Sequence, residues 1–197
     1  RVEVLNISVL TLIAVVGVCL FSATSQTVTG FGFSLLSVPL LSFIVDVHTA
    51  VIASTALSCC QSSIVAVKDR SAVRWSASGA VTAAAVPGVG VGVIVFGAMS
   101  AQLLLLIVAV VMLLLSAIIR FAWWSSPRKG AVLLGGFASG MMLATSGMNG
   151  PPLFVALRSR CRTPRELRST LQVSFVIQDV MTLAGYYFGG VDLPSVA

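Results

Sequence analysis

The sequence predicts an all-α, polytopic membrane protein made of two inverted-topology repeats, each with a broken, re-entrant helical hairpin followed by transmembrane helices. Three observations predict it: an apolar composition, the placement of the basic residues, and a helix-breaking motif that occurs twice. Of 197 residues, 57% are hydrophobic and 9% charged, whereas about a quarter of the residues in a soluble domain are charged. Several apolar stretches approach the roughly 20 residues that span a bilayer core about 30 Å thick. The lipid bilayer is therefore the expected environment.

The basic residues predict the topology. Eleven of the twelve lie in three segments, which we name the first (68–74), second (120–129) and third (158–168) basic loops. Short loops rich in Lys and Arg stay on the cytoplasmic side during insertion. All three loops are therefore expected to be cytoplasmic in a multi-pass protein of the cell inner (cytoplasmic) membrane. The net charge of +6 then sets topology, and no nucleic-acid partner is expected.

This topology fixes the expected path of the chain. Four segments are long enough to cross the bilayer once, at 49–67, 77–97, 102–122 and 164–189. The segment 130–158 is too long for one straight span, yet both its ends are cytoplasmic by charge. The segment 7–44 is likewise too long and is broken near its middle by polar residues and glycine. Each of these two segments is expected to enter the membrane and return as a hairpin.

The two halves come into register at an offset of 117 residues, which places Gly30 on Gly147 and Gln61 on Gln178. Repeat 1 is then residues 1–122 and repeat 2 is residues 123–197. The counterparts of the last two spans of repeat 1 would lie beyond residue 197, so repeat 2 is expected to be incomplete in this chain.

The same offset also pairs two helix caps and inverts the charge. Asp46 falls on Thr163, and both are favoured N-cap residues before a predicted span. The third basic loop has five arginines, whereas its counterpart at 41–51 has none. One of these loops is therefore expected inside and the other outside, which is the reason for predicting inverted repeats.

The two breaks are the predicted substrate site. Broken helices near the middle of the membrane recur in secondary transporters, because irregular backbone in lipid needs a cavity or a ligand. The N-terminus of the helix after each break would attract a small anion. The predicted substrate-binding residues come from both breaks and from the matched glutamines: Thr29, Gly30, Gly32, Gln61, Ser146, Gly147, Asn149, Gly150 and Gln178. Two other interpretations stay open, namely close packing for the glycines and interhelical hydrogen bonds for the glutamines.

Asp179 is the acidic residue that lies deep in a predicted span. Its insertion costs about 2.5–3.5 kcal/mol on translocon scales, and burial disfavours the charged form of a carboxyl. It is a candidate for proton coupling, and a structural hydrogen bond to a neighbouring helix is the alternative.

Glycines four residues apart predict close helix packing, although they are equally typical of a homodimer face. These pairs are Gly88 and Gly92, Gly136 and Gly140, and Gly185 and Gly189.

The residues offer little for catalysis. His48 is the single histidine, and the four cysteines have no paired spacing, so no cofactor, metal or disulfide is expected. A membrane enzyme would group His, Asp, Glu or Cys side chains at one depth, and Asp179 lies there by itself. A transporter is therefore favoured over an enzyme. Two alternatives are a cation-coupled carrier, with Na⁺ held by carbonyls freed at the breaks, and a non-transport membrane assembly protein.

Two segments resemble the paired Gly- and Pro-containing motifs of the sulfite exporter TauE/SafE family, the TSUP transporters. They are TGFGFSLLSVPLL at 29–41 and SGMNGPPL at 146–153. Arg168 resembles the arginine that begins the span after the second motif, and the first motif has Phe31 and Phe33 where the family has a fuller run of glycines. The resemblance covers nearly the whole chain. It implies transport of sulfite, an organosulfonate or a related sulfur-containing anion. The candidate coupling ions, H⁺ or Na⁺, come from Asp179 and from the breaks and not from the resemblance.

Overall fold

The protein is represented by a computed structural model that describes residues 9–29, 32–122 and 130–190. In these ranges the chain forms eight α-helices, one 3-10 turn and no strand. The helices are α1 (Val9–Thr29), α2 (Phe33–Leu41), α3 (Val47–Lys68), α4 (Trp75–Ala98), α5 (Ala101–Ala122), α6 (Ala131–Ser146), α7 (Gly150–Arg158) and α8 (Pro164–Phe188). The all-α fold class is confirmed, whereas the inverted repeats and re-entrant hairpins stay predictions.

A helix is present at each predicted span: α3, α4, α5 and α8 cover the four segments to within about two residues. Two of these, α3 and α4, are long and apolar enough to cross a membrane. Large apolar side chains are exposed on the outside of the bundle, including Ile94 at 75% and Leu134 at 74%. Water would make such a surface unfavourable, whereas lipid would not.

Each predicted hairpin contains a long helix followed by a short one. Both α2 and α7 have nine residues, which rise about 14 Å and cannot cross a core about 30 Å thick. Gly32 precedes α2 with φ 113°, and Gly147 follows α6 with φ 73°. This left-handed backbone conformation is open to glycine and strained for other residues. The two glycines therefore explain why the helices stop where the motifs occur.

The glycine pairs pack inside the chain. A Cβ atom at Gly88 of α4 would overlap the carbonyl oxygen of Phe137, and one at Gly140 of α6 would overlap that of Ala85. A Cβ atom at Gly185 of α8 would lie 2.8 Å from the Val93 Cγ2 atom. Helices α4, α6 and α8 thus approach one another through glycine. The close-packing interpretation is confirmed, and a homodimer stays a prediction.

The first and third basic loops lie at the same end of the bundle. The Arg165 guanidinium is 3.4 Å from the Asp69 carboxylate, and the Arg74 guanidinium is 3.6 Å from the Glu166 carboxylate. The Arg74 backbone N–H also donates to the Thr170 hydroxyl at 3.0 Å. Residues 123–129 of the second basic loop lie outside the described residues.

The turn that holds Asp46 lies at the opposite end. The His48 ring contacts Phe96, near the end of α4, at 5.1 Å between ring centroids, and Phe96 contacts Tyr186, near the end of α8, at 4.8 Å. The third basic loop and its repeat counterpart are therefore separated by the length of the bundle. Which end faces the cytoplasm stays a prediction.

Both predicted helix caps are present. The Asp46 carboxylate accepts a hydrogen bond from the His48 backbone N–H at 2.9 Å, and the Thr163 hydroxyl accepts one from Glu166 at 3.1 Å. The Glu166 carboxylate reaches back to the Arg162 backbone N–H at 2.7 Å, so each side chain satisfies an N–H group at the start of α8.

Replacing Thr163 with alanine should lower the free energy of unfolding by about 1 kcal/mol, because the Glu166 N–H group loses its acceptor. Thermal unfolding in detergent would show this as a lower midpoint. Thr163→Ser is the matched control and should keep the wild-type midpoint, since serine caps equally well. Equal midpoints for the alanine and serine variants would contradict the assigned cap.

Candidate functional site

A small cavity lies where the two helix breaks meet. It is lined by residues that precede or begin the short helices and by single side chains from the long ones: Gln26, Gly32, Phe33, Ser34, Leu35, Ser58, Met148, Asn149, Gly150, Pro151 and Phe175. Ser58 and Phe175 lie near the middle of α3 and α8, so the cavity is at mid-depth in the bundle. Its volume is about 10 Å³, enough for about one water molecule.

The N-termini of α2 and α7 both reach this cavity. In the described structure neither helix has a side-chain hydrogen bond at its N-cap, in contrast to α3 and α8. At α2 the Leu36 N–H donates to the Gly32 carbonyl at 3.3 Å. The N–H groups of the three preceding residues therefore have no partner within the helix. They are donors with partial positive charge, placed beside the cavity.

Helix α7 contributes fewer backbone donors than α2. Its second and third residues are Pro151 and Pro152, which have no N–H group. Gly150 alone supplies a backbone N–H in the first three positions. The prolines therefore limit what the α7 N-terminus can offer to an anion, and a side chain is needed to add to it.

Asn149 supplies that side chain. It is 8% exposed and lines the cavity, and its Nδ2 atom has no hydrogen-bond partner among the residues that the structure describes. A buried donor without a partner costs about 1–3 kcal/mol. A ligand oxygen in the cavity would remove this cost.

Gln26 is a cavity residue that the sequence reasoning did not single out. Its Nε2 atom donates to the Ser62 hydroxyl at 3.2 Å and to the Gln172 Oε1 atom at 3.3 Å. Its Oε1 atom is buried and unpaired within the described ranges. At the 117-residue offset Gln26 falls on Leu143, so the repeat gave no signal. A polar side chain inside an apolar helix was the available signal.

The lining of the cavity is paired at the same offset. Gly32 corresponds to Asn149 and Ser58 to Phe175, and the two residues after Gly32 correspond to Gly150 and Pro151. Ser34 and Ser58 were also missed, because serine is common in membrane helices and neither belongs to a matched polar pair.

The structure distributes the predicted residues of the breaks over several places. Gly32, Asn149 and Gly150 line the cavity. The Ser146 hydroxyl donates to the carbonyl of Met142 at 2.8 Å. A Cβ atom at Gly147 would lie 3.2 Å from the Val38 Cγ2 atom, so this glycine also allows close packing. Gly30 and the side chain of Thr29 lie outside the described residues.

The matched glutamines both make interhelical hydrogen bonds. The Gln61 Nε2 atom donates to the carbonyl of Ala23 in α1 at 3.0 Å, and the Gln178 Oε1 atom accepts from the Ser139 hydroxyl in α6 at 2.7 Å. Each glutamine thus holds the long helix of its own hairpin. Neither is among the described residues that line this cavity, and their role in substrate binding stays a prediction.

Asp179 lies close to the cavity without lining it. Its side chain is fully buried, and the Ser58 hydroxyl faces its carboxyl group. Neither carboxyl oxygen has a hydrogen bond of standard geometry within the described part of the chain. Ser58 therefore connects the cavity with a buried acid.

A comparison with protein families gives a match to the sulfite exporter TauE/SafE family over residues 14–197. Comparisons with curated proteins and with solved structures gave no match. The family match includes both helix breaks, the cavity between them and the long helices around it. Since it covers nearly all of the 197 residues, the resemblance of the two motifs is confirmed, and the chain belongs to the sulfite exporter TauE/SafE family of membrane transporters.

Proposed function

We propose that the protein moves a small sulfur-containing anion, of the sulfite or organosulfonate class, across the cytoplasmic membrane by alternating access. The substrate would be held in the cavity between the two helix breaks. The observation that carries this proposal is the unpaired Nδ2 atom of Asn149, placed beside two helix N-termini that no described side chain caps. The choice of a sulfur-containing anion as the substrate rests on membership of the family.

The chemistry of the lining suits an anion that must be bound and then released. Its described residues include no acidic or basic side chain. The donors are neutral: the first N–H groups of α2, that of Gly150, and the Asn149 amide. A helix N-terminus stabilises an anion by about 0.3–1 kcal/mol, and by up to about 2 kcal/mol when partly buried. Several such donors give moderate binding, and the described lining has no cation that would retain the substrate.

The small volume of the cavity implies a closed conformation. A space of about 10 Å³ holds about one water molecule, and a sulfur atom with three oxygens is larger. We infer that the two hairpins move apart to admit substrate, first at one end of the bundle and then at the other. The paired lining at the 117-residue offset supports this, since inverted repeats give the two ends equivalent structures. The end that carries the basic loops would be cytoplasmic.

A binding screen tests the proposal directly. Purified protein in detergent should unfold at a higher temperature with at least one of sulfite, sulfate, thiosulfate, taurine or sulfoacetate, compared with chloride at equal ionic strength. A ligand at 100 times its Kd stabilises the folded state by about 2.7 kcal/mol. The proposal would be contradicted if all five compounds left the midpoint at its value in chloride.

A further inference from the structure

Among the described residues, no positively charged side chain lies near the buried carboxyl of Asp179. It is 0% exposed, and both of its oxygens lack a hydrogen-bond partner among the described residues. An ionised carboxylate in such surroundings is unfavourable, because water is excluded and the Ser58 hydroxyl is the donor that faces it among the described residues. These surroundings favour a neutral carboxyl over an isolated carboxylate.

The titratable groups that face Asp179 do not stabilise its ionised form. They are the Cys59 thiol of α3 and the Tyr186 hydroxyl of α8, and the latter donates to the Ala144 carbonyl at 2.8 Å. Helices α4 and α6, which also pack on α8, have no charged residue. The nearest arginine along α8 is Arg168, about 16 Å away by helical rise. The described neighbours thus offer no cation to pair with the carboxylate.

The remaining basic and acidic groups of the packed elements lie at the bundle ends. Lys68 of α3, Arg70 of the 3-10 turn and Arg158 of α7 belong to the first and third basic loops. Asp46 and His48 lie in the turn at the opposite end. Asp179 is therefore isolated from other charges at mid-depth, close to the cavity.

Ser58 lies between Asp179 and the cavity, so the two are close enough to interact electrostatically. Its hydroxyl faces the Asp179 carboxyl, and the same residue lines the cavity. An anion in the cavity and a carboxylate behind Ser58 would repel each other across a medium of low dielectric constant. Binding of the anion therefore favours the protonated acid, and by linkage the protonated acid favours binding of the anion.

We propose that Asp179 binds the proton that crosses the membrane together with the substrate anion, so that the carrier works as a proton–anion symporter. This inference rests on the proposed function. The proton joins Asp179 as the anion enters the cavity, and both leave when the cavity opens on the other side. In the closed state the buried site then holds no unpaired charge from Asp179.

The test uses proteoliposomes and ³⁵S-labelled sulfite in two modes. Counterflow, with equal pH on both sides, needs binding and reorientation but no net movement of protons. Accumulation against a gradient needs a driving ion, here supplied by an acidic outside. Asp179→Asn mimics the protonated acid, so it should retain counterflow and lose pH-driven accumulation down to the level of protein-free liposomes. Those liposomes also correct for passive permeation of sulfurous acid.

Asp69→Asn is the matched control, because it removes a carboxylate at the bundle end and should leave both modes unchanged. A wild type without counterflow would overturn the proposed function itself. Counterflow with equal accumulation by wild type and Asp179→Asn, or accumulation driven by a sodium gradient alone, would overturn the symport inference only. A pH dye inside wild-type vesicles gives a measurement that needs no variant. Sulfite influx without inward proton movement beyond that of protein-free liposomes would also overturn it.

Discussion

Replacing Asn149 with alanine should weaken sulfite binding by about ten- to a hundredfold and reduce its flux correspondingly. The physical reason is the loss of a hydrogen bond to a charged ligand, which contributes about 1.5–3 kcal/mol. Neighbouring groups of α7 cannot replace the lost hydrogen bond, because Pro151 and Pro152 leave this helix with few backbone donors. The change in affinity would be measured from the sulfite concentration that gives half-maximal thermal stabilisation, and the change in flux in proteoliposomes.

Two further variants decide what the Asn149 side chain does. Asn149→Asp keeps the shape but places a carboxylate beside the anion, so it should bind sulfite less well than the alanine variant. Gln102→Ala removes an exposed amide from α5 and should bind as the wild type does. If Asn149→Ala retained wild-type affinity, the cavity would not be the anion site. If Asn149→Asp bound sulfite better than the alanine variant, the anion would not lie beside this side chain.

Features with a strong local cause could be predicted from the sequence. Gly32 and Gly147 have left-handed backbone, and Asp46 and Thr163 cap helices, because each depends on a residue and its immediate neighbours. The basic loops were also predictable from local sequence, because a cluster of charged residues stays out of the apolar interior of the membrane. Helix positions followed from these local signals and from the length needed to span a bilayer.

Features that depend on which side chains meet across the bundle could not be predicted. The repeat paired Gln61 with Gln178 but did not indicate that they bond to α1 and α6, respectively; their role in substrate binding stays a prediction. Gln26 reaches from α1 to Gln172 in α8, a contact between residues far apart in the sequence. The rotation of each helix about its axis decides such contacts, and apolar helices with lipid on one side and protein on the other leave that rotation poorly defined.

The offset of 117 residues nevertheless carried more information than the motifs themselves. It relates Ser58 to Phe175, and both line the cavity, although serine and phenylalanine are common in membrane helices. It also relates Gly32 to Asn149, so one break has a glycine in the left-handed conformation where the other has a side-chain amide. The two breaks thus offer different donors at positions that the sequence offset pairs.

Replacing Gly88 with alanine should destabilise the bundle by about 1–3 kcal/mol or more, the usual cost of overpacking. The new Cβ atom would overlap the carbonyl oxygen of Phe137 and lie 3.0 Å from the backbone nitrogen of Met141. These are backbone atoms of α6, which cannot rotate away as a side chain can, so α4 and α6 must separate. The thermal midpoint in detergent and the yield of monodisperse protein would both fall.

Gly90→Ala is the matched control, because Gly90 is two residues away in the same helix and its Cβ atom would meet nothing within 4 Å. Alanine is favoured over glycine in a helix by about 1 kcal/mol, so this variant should be neutral or slightly stabilising. Equal loss of stability in both variants would mean that glycine matters here for chain flexibility and not for helix contact.

A variant that combines Gly88→Ala with Gly140→Ala tests whether the two substitutions act through the same helix contact. A Cβ atom at Gly140 would overlap the carbonyl oxygen of Ala85, on the same contact between α4 and α6. Once Gly88→Ala has pushed the helices apart, Gly140→Ala has less left to disrupt, so the double variant should lose less stability than the two single losses added together. Strict additivity would instead indicate two independent local strains. Because α6 leads directly into the break at Gly147, a shared separation of the helices should also weaken sulfite binding in both single variants.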